Sequence, residues 1–170
     1  MAAGSTYTPI ATTTLGSSSS SITFNSFSGY TDLVLVMNYG MTSGSGNNSA
    51  CWRFNGDTSG STLYSQTYLN GNGSAASSGR ITSNSQHLAI AYTSNASVIN
   101  ANVILQIPNY SNTTTFKSVL VRGNQAGDGV VTSACLYRST SAITSITITP
   151  EYTPIFCAGS TFTLYGIAAA

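Results

Sequence analysis

NVILQIPNYSNTTTFKSVLVR, residues 102–122, decides the fold class. Val103, Leu105 and Ile107 alternate with Ile104 and Gln106, so an extended chain here has one wholly apolar face and one mostly apolar face. Pro108 has no amide hydrogen to give to a ladder, and the side chains of Asn109, Ser111 and Asn112 compete for backbone groups. The first strand therefore stops there. Residues 116–122 resume extended, with Val119, Leu120 and Val121 consecutive and β-favouring. The stretch predicts a long hairpin of buried character, a scaffold element in which residues with obvious chemistry are nearly absent.

Most of the chain repeats this grammar. Residues 22–27, 32–39, 50–54, 62–69, 87–92, 98–107, 130–137, 143–149, 152–156 and 161–167 read as strands. Between them lie the glycine- and serine-rich stretches 40–49, 70–79 and 123–129, which read as loops. No window of period 3.6 appears, so helix is excluded from the expected elements. Strands this short, with turns every few residues, predict a single all-β domain, either sandwich or barrel. Loops of very uneven length suit Greek-key crossings, which favours a jelly-roll-like antiparallel β-sandwich over an up-and-down meander. The expected core takes Leu33, Leu35, Val103, Leu105, Leu120, Ile146 and Leu164.

The first residues are assigned differently. Residues 1–21 read as an N-terminal arm followed by the serine linker 17–21, and residues 22–170 as the sandwich. Pro9 demotes its surroundings to an edge strand or an arm. Tyr7, Pro9 and Ile10 are the candidates for inter-subunit contact, and an ordinary first edge strand is the alternative. Tyr7-Thr8-Pro9-Ile10 recurs as Tyr152-Thr153-Pro154-Ile155, either as two equivalent edge segments or as coincidence in a chain rich in Thr and Tyr.

Composition narrows the function classes. Only 5% of the 170 residues are charged, against about 25% in ordinary soluble domains. Ser and Thr make up about three residues in ten, yet 41% of the chain is hydrophobic, which excludes a disordered segment. A formal net charge of +1 gives almost no repulsion between copies, so the chain is expected inside an assembly. Arg53, Arg80, Lys117, Arg122 and Arg138 are scattered and form no basic stripe, so no nucleic-acid partner is expected. Met1 to Thr6 carry no basic or apolar leader signal, and no apolar run is long enough for a membrane span. Cys51, Cys135 and Cys157 are an odd count with wide spacing. They allow one bridge, or three buried thiols acting as small hydrophobes.

Catalytic groups are scarce. His87 is the only histidine, and no motif places a nucleophile beside it. Asp57 and Asp128 sit in glycine turns, where Asp binds backbone, and Asp32 stands at a strand entrance in a similar role. With Glu151 they are the only acids, so no enzyme, metal site or cofactor is expected. The binding-competent resource is aromatic: Trp52, Tyr64 and Tyr68 lie near polar loops, as in a sugar-stacking platform. A tryptophan within a sandwich strand is alternatively core.

Several phrases together resemble short virion proteins of tailed bacteriophages, particularly aquatic and cyanobacterial phages. They are SSSITFNSFSGYTDLVLVM (residues 19–37), FNGDTSG (54–60), LYSQTYLNGNG (63–73), IPNYSNTTTFKSVLVRG (107–123) and AGSTFTLYGIAA (158–169). The resemblance spans residues from about 6 to 168, and the order of the phrases is more specific than any one of them. It implies a β-rich, non-enzymatic structural component of the particle and carries over no catalytic residues. The expectation is a homo-oligomer, trimeric, decorating the capsid or tail of a virion assembled in the host cytoplasm. Its partners would be copies of itself and other virion proteins. A host-surface carbohydrate-binding module is the alternative, with a hydrolase as a more distant third.

Overall fold

Alternation of apolar and polar side chains along each segment yields twelve strands and, among the described residues, no α-helix. The computed structural model describes residues 6–42, 48–59, 62–82, 87–93, 101–125, 129–152 and 155–168, and for residues 48 and 87–93 the backbone. In chain order the strands are β1 Tyr7–Thr14, β2 Ile22–Asn25, β3 Asp32–Tyr39, β4 Asn48–Phe54, β5 Tyr64–Gly71 and β6 Ala76–Ile81. They continue as β7 His87–Thr93, β8 Ala101–Ile107, β9 Lys117–Gln125, β10 Gly129–Tyr137, β11 Ser145–Pro150 and β12 Thr161–Ile167.

Two antiparallel sheets result, one ordered β1-β12-β3-β8-β9-β10-β5-β6 and the other β2-β11-β4-β7. The pairings are nested: β1 with β12, β2 with β11, β3 with β8 and β4 with β7. A chain doubled back on itself in this way, with successive pairs laid alternately into two sheets, is an eight-stranded jelly roll. Two hairpins are inserted into it. β5–β6 comes between β4 and β7, and β9–β10 between β8 and β11. Both extend the larger sheet beyond β8 and double its width from four strands to eight.

The hairpin read from residues 102–122 is β8–β9, paired from Ala101↔Gln125 to Gln106↔Leu120. Its core face carries Val103, Leu105 and Ile107 opposite Val119 and Val121, all fully buried. Leu120 is a correction: it is 52% exposed, not core. Three consecutive apolar residues do not reveal which parity faces in, and here the odd positions do. The other six expected core residues are 0% exposed. They join Ile22, Phe24, Trp52, Phe54 and Ile148 of the smaller sheet in one cluster between the layers. Each large side chain so buried contributes about 1.5–3 kcal/mol relative to exposure.

Lys117 follows the same parity and is 1% exposed. Its stem lies among apolar neighbours, and its Nζ donates to the carbonyls of Thr115 (3.0 Å), Ser139 (3.3 Å) and Thr140 (3.1 Å). Burial lowers its pKa from the usual lysine value. The preceding turn is held by Asn112, whose Oδ1 accepts the N–H groups of Thr114 (2.7 Å) and Thr115 (2.8 Å). Asp32 accepts the Asn109 N–H at 2.7 Å, the backbone-binding role expected of it. One buried ammonium thus ties the β8–β9 turn to the segment between β10 and β11.

Other elements differ from the sequence reading. Residues 70–79, read as a loop, hold a tight turn at residues 72–75 and the start of β6, whose polar sequence gives no strand signal. Of residues 152–156, read as a strand, the described ones contribute only isolated bridges from Phe156 to Ser19 and Met41. Tyr7–Thr14, read as part of an arm, pairs with β12 from Tyr7↔Ile167 to Thr14↔Thr161, with a register shift at Pro9/Ala11. It is the edge strand of the larger sheet, and residues 15–21 cross from there to β2 in the smaller one. Pro9 is tolerated because the outer edge of β1 has no neighbour. Tyr7 is exposed and edges onto Tyr165 at 6.2 Å, while Ile10 packs against the core. Thr153 and Pro154, on which the internal echo depends, lie outside the described residues.

Candidate functional site

The broadest uncovered feature is the outer face of the eight-stranded sheet. Strand register places Val36, Ile104, Arg122, Thr132 and Leu69 in one transverse row. Gln106, Leu120, Ala134 and Thr67 form the row on one side, which ends on β3 at Val34, buried at 5% exposure. Asn38, Asn102, Asn124, Val130 and Gly71 form the row on the other. Side chains two apart on a strand share a face, so these rows are the side of the sheet that the smaller sheet does not cover. Leu69 and Val130 are each 60% exposed. Apolar side chains at outward positions of β3, β5, β8, β9 and β10 give the face a hydrophobic band edged by amides.

At the end of this face where β8 begins lies a shallow groove of about 700 Å³. Leu69, Ile104 and Val130 provide its apolar lining, and Thr132, Asn124 and Arg122 its polar groups. Arg122 is its only charged lining residue among the described residues. The sequence carried one signal for this site: in β8 to β10, Ile104, Leu120 and Val130 are apolar at positions whose neighbours are also apolar. A strand buried on one face and wet on the other would place polar residues there.

The residues selected from sequence for sugar stacking are not assembled into a platform. Trp52 is 0% exposed, its ring 4.7 Å from Phe54 and edge-on to Tyr64 at 6.1 Å. Tyr64 stacks on Tyr137 at 5.0 Å, and its hydroxyl accepts the Phe54 N–H at 3.1 Å. Burial drives the Tyr64 phenol well above the usual tyrosine range. Neither ring has a face free for a ligand, so both are corrected to core residues. Tyr68 is half-buried, and its ring fills the space that a side chain at Gly79 would need, with a Cβ there only 2.5 Å from the phenol oxygen. It belongs to a small second cluster with Cys51, Val131 and Ile81.

The acids have local roles. Asp57 accepts the Ser59 N–H at 2.8 Å and the Tyr137 hydroxyl at 3.5 Å. Asp128 and the side chain of His87 lie outside the described residues. Among the described residues no three His, Cys, Asp or Glu side chains gather as a metal site.

All three cysteines are free and buried. Burial pushes the Cys135 thiol up to about 12 and raises Cys51 further, with Glu151 adding to the effect. The thiolate is the reacting species, so a native-state titration with a thiol reagent at pH 8 is expected to label none of them rapidly. Denaturant is expected to release all three. Fast labelling of any one in the native protein would contradict their packing.

No protein-family model matches the chain, and no curated protein matches it.

Proposed function

We propose that this chain is a non-enzymatic structural subunit of a bacteriophage particle, an oligomeric module on the capsid or tail. The observation carrying the reading is the uncovered outer face of the doubled sheet, with its band of exposed apolar side chains at Val36, Leu69, Leu120 and Val130. Eight strands about 4.8 Å apart and about seven residues long span on the order of 800 Å², the area each partner buries in a standard protein interface. A face of that size carrying an apolar band, on a chain with so little charge, is better covered than wet. Jelly rolls recur in capsid proteins and in lectins, which supports the reading without selecting it. The phage-like phrases in the sequence select the particle.

Carbohydrate binding ranks second. It is favoured by the amides of Asn102 and Asn124 beside the groove, whose side chains approach each other at 3.5 Å. It lacks the aromatic platform on which it was first based. Light scattering of the purified chain, with a glycan array on the same preparation, separates the readings. The expected result is a defined homo-oligomer without glycan selectivity. A stable monomer that retains one glycan class would overturn the structural role.

A further inference from the structure

Charges are so few in this chain that those among the described residues can be followed one by one. Lys117 is spent on three carbonyls, and Arg138 donates to the Ser65 hydroxyl at 2.8 Å. Arg53 is also engaged. Arg80 and Arg122 remain, both exposed on the outer face of the larger sheet, with no hydrogen bond or ion pair among the described residues. Of the acids, Asp32 and Asp57 bind backbone N–H groups. The Glu151 carboxylate has no hydrogen bond or ion pair among the described residues, and its neighbour Tyr152 is 64% exposed.

We propose that the Glu151–Tyr152 corner of one copy docks in the Arg122 groove of the next, closing a head-to-tail ring. The inference rests on the reading of the chain as an oligomeric subunit and names the contact that would build the oligomer. The chemistries are complementary: a carboxylate beside an apolar ring meets a guanidinium beside Leu69, Ile104 and Val130. A two-fold contact of the outer face with itself would oppose Arg122 and Arg80 to their own copies with no acid among the described residues of β5, β6, β8, β9 and β10 to neutralise them. The cations therefore favour a heterologous contact.

The topology also places both patches at one height. The groove lies beside Asn102, which pairs with Asn38 near the end of β3. Glu151, Ile155 and Cys157 reach the same end: Thr42 N–H donates to the Ile155 carbonyl, Cys157 N–H to the Gly40 carbonyl and Glu151 N–H to the Ser49 carbonyl. Subunits joined by patches at one level, with strands parallel to the rotation axis, advance by rotation without climbing. Such a contact closes a ring instead of growing a filament.

Charge reversal tests the contact on the full chain. Arg122→Glu and Glu151→Arg, each alone, are expected to raise the concentration at which the oligomer dissociates by about tenfold or more. The double variant should return it to near the wild-type value. Mixing Arg122→Cys with Glu151→Cys subunits should give an intermolecular disulfide that neither gives alone. Circular dichroism confirms that each variant is folded, which exposed Arg122 and half-buried Glu151 should permit. If the wild type is oligomeric but the double variant fails to recover and the mixed cysteines do not cross-link, this contact is wrong and the oligomeric reading stands. If the wild type is monomeric at the highest soluble concentration, the oligomeric reading itself falls, and the ring with it.

Discussion

Trp52→Ala is expected to lower the unfolding free energy by about 3–5 kcal/mol, the cost of removing a large aromatic side chain from a packed core. The ring sits against Phe54 and Tyr64, with Tyr137 packed on those two, and its neighbours are held by strand pairing on both sides. β4 is bonded to β11 and β7, and β10 to β5 and β9, so the cavity has little freedom to collapse. Denaturation followed by circular dichroism measures the loss, because the variant has no tryptophan to report by fluorescence. Trp52→Phe should recover much of the stability. A loss under about 1 kcal/mol on Trp52→Ala would contradict the core placement. The prediction also governs glycan experiments: binding lost in Trp52→Ala would report damage to the fold, not a missing sugar contact.

Lys117→Met should destabilise the domain by about 2–4 kcal/mol, although methionine preserves most of the buried stem. The loss arises because the carbonyls of Thr115, Ser139 and Thr140 are left without their donor in a partly buried site. The desolvation cost of the ammonium, absent in the variant, offsets part of this. That offset has a pH signature. Burial lowers the folded-state pKa of Lys117, so the unfolded chain binds more protons between that value and the ordinary lysine value. The advantage of wild type over Lys117→Met should therefore grow as pH rises through that window. An advantage that shrinks there, or a variant as stable as wild type at neutral pH, would contradict the buried site.

The fold was legible wherever alternation was clean. In β2, β11 and the first half of β12 the apolar residues (Ile22 and Phe24, Ile146 and Ile148, Phe162 and Leu164) alternate with polar ones and the parity is unambiguous. The strands themselves were also visible in the hairpin at residues 102–122, but Leu120 was misplaced because Val119-Leu120-Val121 is apolar at both parities. Deciding it required knowing that Lys117 points inward, and a buried lysine is the residue a hydrophobicity pattern assigns to solvent. β6 was hidden for a different reason. Its residues, ASSGRI, have no β-favouring run, and the strand exists because β5 offers an unsatisfied edge. The candidate site was least legible. Trp52 and Tyr64 looked like a platform because aromatics near polar loops often are, whereas the groove around Arg122 is assembled from β5, β8, β9 and β10. Only the sheet order brings those strands together.

An electron cryo-microscopy map of the intact particle tests the central claim most directly. The account predicts twelve-stranded sandwiches in which the outer face of the larger sheet, around Leu69, Leu120 and Val130, is covered by neighbouring chains. A particle lacking this chain, or one in which that face looks into open solvent in every copy, would contradict it.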